Sequence, residues 1–417
     1  MNKLYRLKNI TIGYGALIRI ISTLVPVLIS FLLTACSSIP NPYNFGEVPD
    51  KVEAITAKNE MSNADLLDVS IKLFEPGKIP EDEDDRRGLS QEIRNAEARY
   101  MPIHLKYTMQ RSGYWGNVRV VPDDNEGSEV LVKGSILESD GESIKVKIEV
   151  TDASNNKWFE KTYKETVSID EIANTEPQKV DIFQDLYNEI SNDIIEYRQK
   201  LNAQELRRIK ETAELRFAAF MAPQTFNHYL KKTNNNEYQI SRLPAVNDPM
   251  MKRVQSIESR DELLVDTINN YYDIYYNDMW ESYENWRQFR SEEMDTIREI
   301  DRKALTQKVL GAAAIIGAIA LGASSNDSVR DRTGALRTVM IAGGAYALAS
   351  GFKTSKETEI NKEAIEELGA SFTSEVEPML VEVKGKTMKL SGSAEQQYGK
   401  WRNLLKEIYI EETGFYE

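Results

Sequence analysis

The spacing of hydrophobic positions changes near residue 168. Between about residues 61 and 167 apolar residues alternate with polar ones, as in Ile144-Lys145-Val146-Lys147-Ile148, and this period of two predicts strands with one buried face. Similar runs surround Val69, Val118, Val130 and Trp158. After residue 168 the apolar residues fall three or four apart, which predicts helices. The chain is therefore predicted to be α+β, with a small N-terminal α/β domain carrying a β-meander (61–167) and a larger, mainly helical domain (168–417).

Local signals predict one helix and two tight turns in the N-terminal domain. The helix should begin at Ser90 and end near Gly113, and Pro102 should kink or split it. Ser139-Asp140-Gly141 predicts a hairpin turn, and the segment from Asp152 to Asn156 predicts the next one. The acidic run from residue 81 to residue 85 is interpreted as a solvated loop rather than a cation site.

Two long helices are predicted in the second domain, separated by a loop at about residues 223–250 that holds prolines and an asparagine triplet. The first should run from Phe183 through Leu215 and stop before Pro223. The second should begin at a capping box formed by Ser259 and Glu262 and continue to about Lys308. After residue 355 we expect a further helix, a β-hairpin over Val381 to Leu390 and a last helix from residue 393 to residue 411.

The second long helix contains a concentration of tyrosine and tryptophan. Tyr276, Trp280 and Tyr283 form one stripe, and a parallel stripe includes Tyr272 and Trp286. Such side chains suit a partner or glycan surface because they offer a large contact area with a polar group. They also suit a helix that is covered on two sides, and this core interpretation is preferred.

A glycine- and alanine-rich helical hairpin is predicted over residues 309–352. Its two arms, Val309 to Ala323 and Val339 to Phe352, carry small residues that allow packed helices to approach closely. The glycines concerned are Gly311, Gly317, Gly322, Gly343, Gly344 and Gly351. One interpretation is insertion into a membrane or a pore. Each arm of about 15 residues covers only about 22 Å of a roughly 30 Å hydrocarbon core, so packing inside a bundle or between copies is preferred.

Residues 1–35 have the composition of an export signal, with basic residues and no acid before an apolar run from Ile20 to Leu33. Leu33, Thr34 and Ala35 precede Cys36 with the spacing of a lipobox, so we expect cleavage before Cys36 and lipidation of its thiol. The residue after Cys36 is Ser37 rather than aspartate, and the resemblance to bacterial lipoproteins implies sorting to the outer membrane. Residues 36–60, rich in proline and small polar residues, should tether the folded part to that membrane from the periplasmic side.

Composition narrows the functional classes. Cys36 is the single cysteine in 417 residues, so the mature chain has no disulfide or cysteine metal site. The net charge is −14, and removal of residues 1–35 leaves 48 basic against 66 acidic residues, a net charge of −18. A surface this acidic should repel nucleic acid.

Searches for catalytic patterns give no complete set. His104 and His228 lack zinc-site spacing. Ser350 and Lys353 have the spacing of a serine acyl enzyme without its partner motif. Gly385-Lys386-Thr387 lacks the first glycine of a phosphate-binding loop. Asp123, Asn125, Gly127 and Glu129 alternate as in a calcium loop but depart from its full pattern, so a plain hairpin loop is preferred. No catalytic residue, metal or cofactor is predicted.

The α/β domain nevertheless resembles a known family. Val132-Lys133-Gly134-Ser135-Ile136, Thr151-Asp152-Ala153 and Trp158 resemble the periplasmic domains of the curli secretion lipoprotein, the amino-terminal part of TolB and the lipoprotein activators of penicillin-binding proteins. The resemblance covers about a quarter of the chain and implies a docking or oligomerisation module without catalysis.

Three functional hypotheses follow. The preferred one is a non-enzymatic lipoprotein that assembles or anchors an envelope complex through a protein partner or a homo-oligomer. The alternative is a membrane-inserting or pore subunit that acts through residues 309–352. A cell-wall enzyme is the third hypothesis, and the missing catalytic set argues against it.

Overall fold

A computed structural model describes residues 52–80, 89–124, 126–167, 180–321, 379–383, 386–390 and 393–413. For residues 289, 293–321, 379–383, 386–388 and 412–413 it describes the backbone alone. Several predicted features lie outside these residues. They are the export signal, the lipobox Leu33-Thr34-Ala35 with Cys36, the acidic run 81–85, Gly322, Gly343, Gly344, Gly351, the Ser350/Lys353 pair and the helix predicted after residue 355.

The N-terminal part forms a five-stranded mixed sheet in the order β2-β1-β3-β4-β5. Its strands are β1 (Leu67–Lys72), β2 (Trp115–Val121), β3 (Val130–Ser139), β4 (Ser143–Asp152) and β5 (Lys157–Thr166). Strand β1 pairs in parallel with β2 and β3, and the other pairs are antiparallel. The alternating positions face the core, where Ile144, Val146 and Ile148 are at most 1% exposed. The predicted α+β class and the predicted strands are thus confirmed.

Helix α1 (Gln91–Ser112) fills the crossover between β1 and β2. The Ser90 side chain accepts a hydrogen bond from the Ile93 N–H, and Gly113 ends the helix in the left-handed region at φ 72°. Both predicted ends are confirmed because capping and termination are local chemistry. Pro102 lies inside the helix without splitting it.

The turns also follow the sequence. Gly141, with φ 96°, closes the β3–β4 hairpin, and the Asp140 carboxylate accepts the N–H groups of residues 142 and 143. In the β4–β5 turn the Asp152 carboxylate accepts from the N–H groups of Ser154 and Asn156. Short polar side chains that bond the backbone ahead of them are typical of such turns.

The first long helix that the sequence predicts is two separate helices in the structure. Helix α2 (Gln184–Gln199) ends before Lys200, and α3 (Ala203–Met221) begins after Asn202. Asn202 and Glu205 form a capping box in which each side chain bonds the backbone of the other residue. The predicted continuity was wrong because the apolar spacing continues across a local start signal.

The segment after α3 contains more structure than the predicted loop. A short helix, α4 (Pro223–Phe226), leads into a turn and a small hairpin of β6 (Leu230–Lys232) and β7 (Tyr238–Ile240). Its turn includes Asn236 at φ 64°. Asparagine tolerates the left-handed region, so the asparagine triplet marks a hairpin turn.

Helix α5 (Pro249–Leu321) is continuous over 73 residues. The Asp248 carboxylate caps it by accepting from the N–H groups of Met250 and Met251. The predicted start at Ser259 was wrong, because Ser259 lies inside the helix and donates to the Gln255 carbonyl. At a rise of 1.5 Å per residue, 73 residues extend for about 110 Å.

The C-terminal elements agree with the sequence pattern. Strands β8 (Met379–Val383) and β9 (Lys386–Leu390) form the predicted hairpin, and α6 (Ala394–Thr413) follows. Trp401 and Leu405 of α6 are buried as predicted. Helix α6 packs on α5, where Arg402 lies 3.6 Å from Asp261.

The sheet, α1, α2 and α3 share one hydrophobic core. Phe183, Leu186, Ile190 and Ile194 of the α2 region belong to the same buried cluster as the strand residues. Among the helices that the structure describes, none combines the length and apolar character needed to cross a membrane.

Candidate functional site

A buried network of polar side chains joins α1, the start of α2 and α5, and we call it the polar clamp. Helix α5 reaches the sheet and α1 through this network. Its members are Glu97, Tyr100, His104, Asp181, Gln184, Tyr276, Tyr283, Glu284 and Arg287. Buried charges are costly unless they are paired and hydrogen-bonded, so the contacts of each member determine what the clamp does.

Arg287 is the cation of the clamp. Its Nη1 lies 3.0 Å from Asp181 Oδ2 and 2.7 Å from Glu284 Oε1, and its guanidinium stacks 3.8 Å from the centre of the Tyr283 ring. Burial acts to raise the pKa of Asp181, but the charge of Arg287 outweighs it and the pKa falls below its usual value. Burial raises the pKa of Glu284 to about 8. The two buried carboxyl groups that share Arg287 therefore have pKa values that move in opposite directions.

His104 connects α1 to both other elements. Its Nε2 lies 2.9 Å from Gln184 Oε1, and its Nδ1 lies 2.6 Å from the Tyr276 hydroxyl. Gln184 uses its Nε2 to donate to Asn188, so its oxygen is the acceptor and His104 Nε2 carries the proton. Burial lowers the pKa of His104 to about 4. The imidazole is therefore neutral at pH 7, with Nδ1 accepting from Tyr276.

Glu97 extends the clamp to the sheet. Its Oε1 accepts from the Tyr283 hydroxyl at 2.7 Å and from Ser139 Oγ at 2.5 Å. Its other oxygen lies 3.2 Å from Arg94, and Arg94 also donates to the Ser139 carbonyl at 3.0 Å. One carboxylate thus fixes the distance between the end of β3 and helix α5.

The clamp has the residue types of a catalytic site but not its accessibility. Tyr100, His104, Tyr276, Tyr283 and Arg287 are at most 1% exposed, so a substrate in solvent cannot reach them. They form hydrogen bonds with other members of the clamp, such as Asp181, Gln184 and Glu97. The arrangement is suited to holding α5 in one register on α1.

The aromatic stripe predicted as a partner surface belongs to this clamp. Tyr276 and Tyr283 are fully buried, with ring centres 4.7 Å from that of Tyr100, and Trp280 is half-buried. The partner-surface interpretation is therefore wrong for the two tyrosines, because α1 covers them. The preferred core interpretation is the correct one for these two side chains.

A second concentration of charge lies in a pocket between the β2–β3 loop and α5, which we call the acidic pocket. It is a cavity of about 50 Å³. Its carboxyl groups belong to Asp68, Glu129, Glu258, Asp261 and Glu262, and Arg119 is its one basic residue. Burial, together with the surrounding carboxylates, raises the pKa of Glu258 to about 8, and burial raises that of Glu129 to about 7.

The residues of the calcium-like loop do not come together at one site in the structure. Glu129 and Gly127 line the acidic pocket, whereas Asp123 pairs with Lys72 at 2.8 Å. Asn125 lies outside the described residues. Within the described part of the chain, no three acidic, histidine or cysteine side chains are grouped closely enough to hold a bare metal ion.

The other predicted residues are dispersed. His228 is exposed and lies 2.9 Å from Arg242. Lys386 and Thr387 lie in β9. Gly311 and Gly317 lie on the described backbone of α5. These residues do not converge on the clamp or on the acidic pocket.

No family model, no curated protein and no solved structure matches the chain. The resemblance of residues 61–167 to periplasmic docking domains stays a prediction. The clamp, the acidic pocket and helix α5 are therefore the features from which a function can be inferred.

Sequence reasoning missed Asp181, Glu284 and Arg287. One local signal was present, since Glu284 and Arg287 are three residues apart, a spacing that lets side chains on a helix meet. Glu284 and Arg287 also lie on the same helix stripe as Tyr276 and Tyr283. This shared position indicates that the charged pair is buried together with the aromatic residues.

Proposed function

We propose that the protein is a lipid-anchored, non-enzymatic docking component of the bacterial cell envelope, in which α5 is the docking element. One observation carries the proposal. Helix α5 runs without interruption from the polar clamp into the glycine- and alanine-rich segment that begins at Val309. Any force or partner that acts on this segment is therefore coupled through the helix to the folded sheet.

The clamp supports a mechanical role for α5. Two of the polar contacts that fix the helix are the Asn269 side chain on β2 and the Arg287 pair with Asp181. Two separated polar contacts fix rotation as well as position, because each contact depends on direction. A helix held in this way presents its distal residues in a defined orientation.

The segment from Val309 to Leu321 supports docking. It contains no charged or hydrogen-bonding side chain and has Gly311 and Gly317 among alanines. Small residues allow a second helix to approach closely. We expect a partner helix there, contributed by an envelope protein or by another copy of this chain.

Cross-linking tests the docking proposal. A photo-reactive amino acid at Ile316, inside the segment, should give discrete cross-linked species in intact cells. The same group at Asp278, an exposed position on α5, is the matched control and should give none. Equal labelling from both positions, or no species from either, would contradict the proposal.

The lipid anchor rests on the export signal and on Cys36. A version with Cys36→Ala, exported by an ordinary cleavable signal, should move from the membrane fraction to the soluble periplasmic fraction. The unchanged lipobox is the control in the same strain. A soluble wild-type chain would contradict the anchor.

Membrane insertion of residues 309–352 is the second candidate, favoured by the uncharged segment at the end of α5. The fractionation experiment separates the two functions. If Cys36→Ala stays in the membrane through a urea wash, the segment is inserted. If it is soluble and still gives the cross-link from Ile316, the segment docks on protein.

A further inference from the structure

The acidic pocket contains more acidic than basic side chains, and the proposed docking function does not involve them. Of its acids, Asp68 and Glu262 lie 3.7 and 3.9 Å from Arg119, and Asp261 lies 3.6 Å from Arg402. Glu129 and Glu258 have no basic side chain within 4.0 Å in the part of the chain that the structure describes. Two partly buried carboxylates without a counter-ion are unfavourable at neutral pH.

A neutral side chain at the same pocket also lacks a partner. Ser128 is 7% exposed and lines the pocket. Among the described residues, no group forms a hydrogen bond with its buried Oγ. A buried hydroxyl in this state indicates a missing hydrogen-bonding ligand or water. This observation is independent of the acidic residues and points to the same cavity.

The backbone at Gly127 brings the two walls of the pocket together. A Cβ atom at this position would lie 3.4 Å from Glu258 Oε1 and 3.3 Å from the Phe217 ring. The loop therefore passes close to α5, and its next two residues, Ser128 and Glu129, lie opposite Glu258. One side of the pocket comes from the β2–β3 loop and the other from α5.

We propose that this pocket binds one hydrated divalent cation of the chemistry of Mg²⁺, with Glu129 and Glu258 as its charged ligands and Ser128 Oγ as a contact to its water shell. The two carboxylates without an ion pair match a charge of +2, and Glu129 Oε2 also accepts from the Asp68 N–H at 2.8 Å. Mg²⁺ keeps several of its waters and is commonly held by one or two carboxylates. That mode does not require three protein ligands in direct contact.

The size of the cavity agrees with a partly hydrated ion. A cavity of about 50 Å³ has room for roughly three or four water-sized centres. Ca²⁺ prefers six to eight oxygen ligands with fewer waters, whereas three of the five carboxyl groups of this pocket lie beside an arginine and two are left for a cation. The cation would join the β2–β3 loop to α5 at a point distant in sequence from the clamp.

Isothermal titration of the full-length protein with MgCl₂, after removal of metals with EDTA, tests the proposal. We expect one site with a dissociation constant at or below about 1 mM, in the range of extracellular divalent sites. Because burial and like charge favour the protonated carboxyls, Mg²⁺ should displace protons. Titration in two buffers of different ionisation enthalpy measures that release.

Matched variants assign the site. Glu258→Gln and Glu129→Gln should each weaken Mg²⁺ binding by about tenfold or more, and glutamine should fold because it resembles the neutral carboxyl. Glu281→Gln, on an exposed position of α5, should leave the affinity unchanged. If a glutamine variant fails to fold, Ser128→Ala tests the site and should also weaken binding.

Three results would overturn the proposal. They are no saturable heat up to about 10 mM Mg²⁺, well above the expected dissociation constant, equal affinity in the Glu258→Gln and Glu281→Gln proteins, and Ca²⁺ binding more than about tenfold tighter than Mg²⁺ binding. The first two would leave the pocket as a pair of protonated carboxyls. The third would replace the hydrated ion with a directly ligated one.

Discussion

The side-chain amide of Asn269 pairs with both backbone groups of Val120. Val120 N–H donates to Asn269 Oδ1 at 2.9 Å, and Asn269 Nδ2 donates to the Val120 carbonyl at 3.0 Å. Strand β2 lies at the end of the described sheet, so these backbone groups have no neighbouring strand there. A single side chain of α5 thus takes the place of a strand at this edge.

Replacing Asn269 should destabilise both the edge of the sheet and the packing of α5 against it. Asn269→Ala leaves a buried N–H and a buried carbonyl of Val120 without partners, and each costs about 1–3 kcal/mol. We expect the free energy of unfolding in urea to fall by about 2–4 kcal/mol. The neighbouring Asn270→Ala, at an exposed position, should change it by less than about 0.5 kcal/mol. Similar effects of the two variants would show that the edge contact carries no stability.

Removal of Arg287 tests the clamp. Arg287→Met keeps the volume but leaves Asp181 and Glu284 buried without their cation, so we expect a loss of about 3–5 kcal/mol in the free energy of unfolding. Arg260→Met, at an exposed position on the same helix, is the control. If Asp181→Asn is added to Arg287→Met, the second change should cost much less than it does alone, because the pair is already broken. Strictly additive losses would contradict the pairing.

Pro102 illustrates how tertiary structure can accommodate a helix breaker. A proline at this position cannot donate to the Ala98 carbonyl, and in the structure that carbonyl accepts from the Phe74 N–H at 3.0 Å. Pro102→Ala should therefore change the free energy of unfolding by less than about 1 kcal/mol, whereas an ordinary mid-helix proline costs about 3 kcal/mol. Asn95→Pro, at an exposed position of α1, supplies that comparison. A gain of about 3 kcal/mol from Pro102→Ala would show that the Phe74 contact does not compensate.

Local signals in the sequence predicted the features that depend on adjacent residues. Ser90 and Gly113 bound α1 because a cap needs only its own turn of helix. The hairpin at Gly141 and the alternating strands could also be predicted, since each depends on a pattern within about ten residues. The start of α5 was misplaced because the capping box at Ser259 was preferred to another local start signal, Asp248 followed by Pro249, and Asp248 is the residue that caps the helix.

The polar clamp could not be predicted from local signals in the sequence. His104 and Tyr276 are separated by 172 positions in the sequence, and their hydrogen bond exists only after α5 packs on α1. The same holds for the acidic pocket, where Glu129 was noticed as part of a loop pattern but its companion Glu258 comes from a distant helix. Aromatic periodicity could indicate a covered helix, but not which charged residues would be covered with it.

The neutral His104 makes the stability of the protein depend on pH in a defined window. Its pKa in the folded protein is about 4, against 6.5 for an ordinary histidine. Between these values the unfolded chain binds a proton that the folded chain does not. Stability therefore falls as the pH drops from 6.5 towards 4, and is fully present above 6.5. The charged groups facing the ring are Asp181, Arg111 and Arg287, and the lowered pKa of Asp181 places its titration below this window.

His104→Gln should remove this dependence, because glutamine does not titrate and can still bond to Tyr276. The wild-type chain should lose about 3 kcal/mol more than the variant between pH 7 and pH 4, since 2.5 pH units at 1.36 kcal/mol each set the limit. Urea unfolding at half-unit steps of pH measures the difference. His228→Gln, which alters an exposed histidine, is the control and should follow the wild-type curve. If the His104→Gln curve ran parallel to the wild-type curve, the pKa of His104 in the folded protein would have to lie near the ordinary value of 6.5, and burial would not lower it.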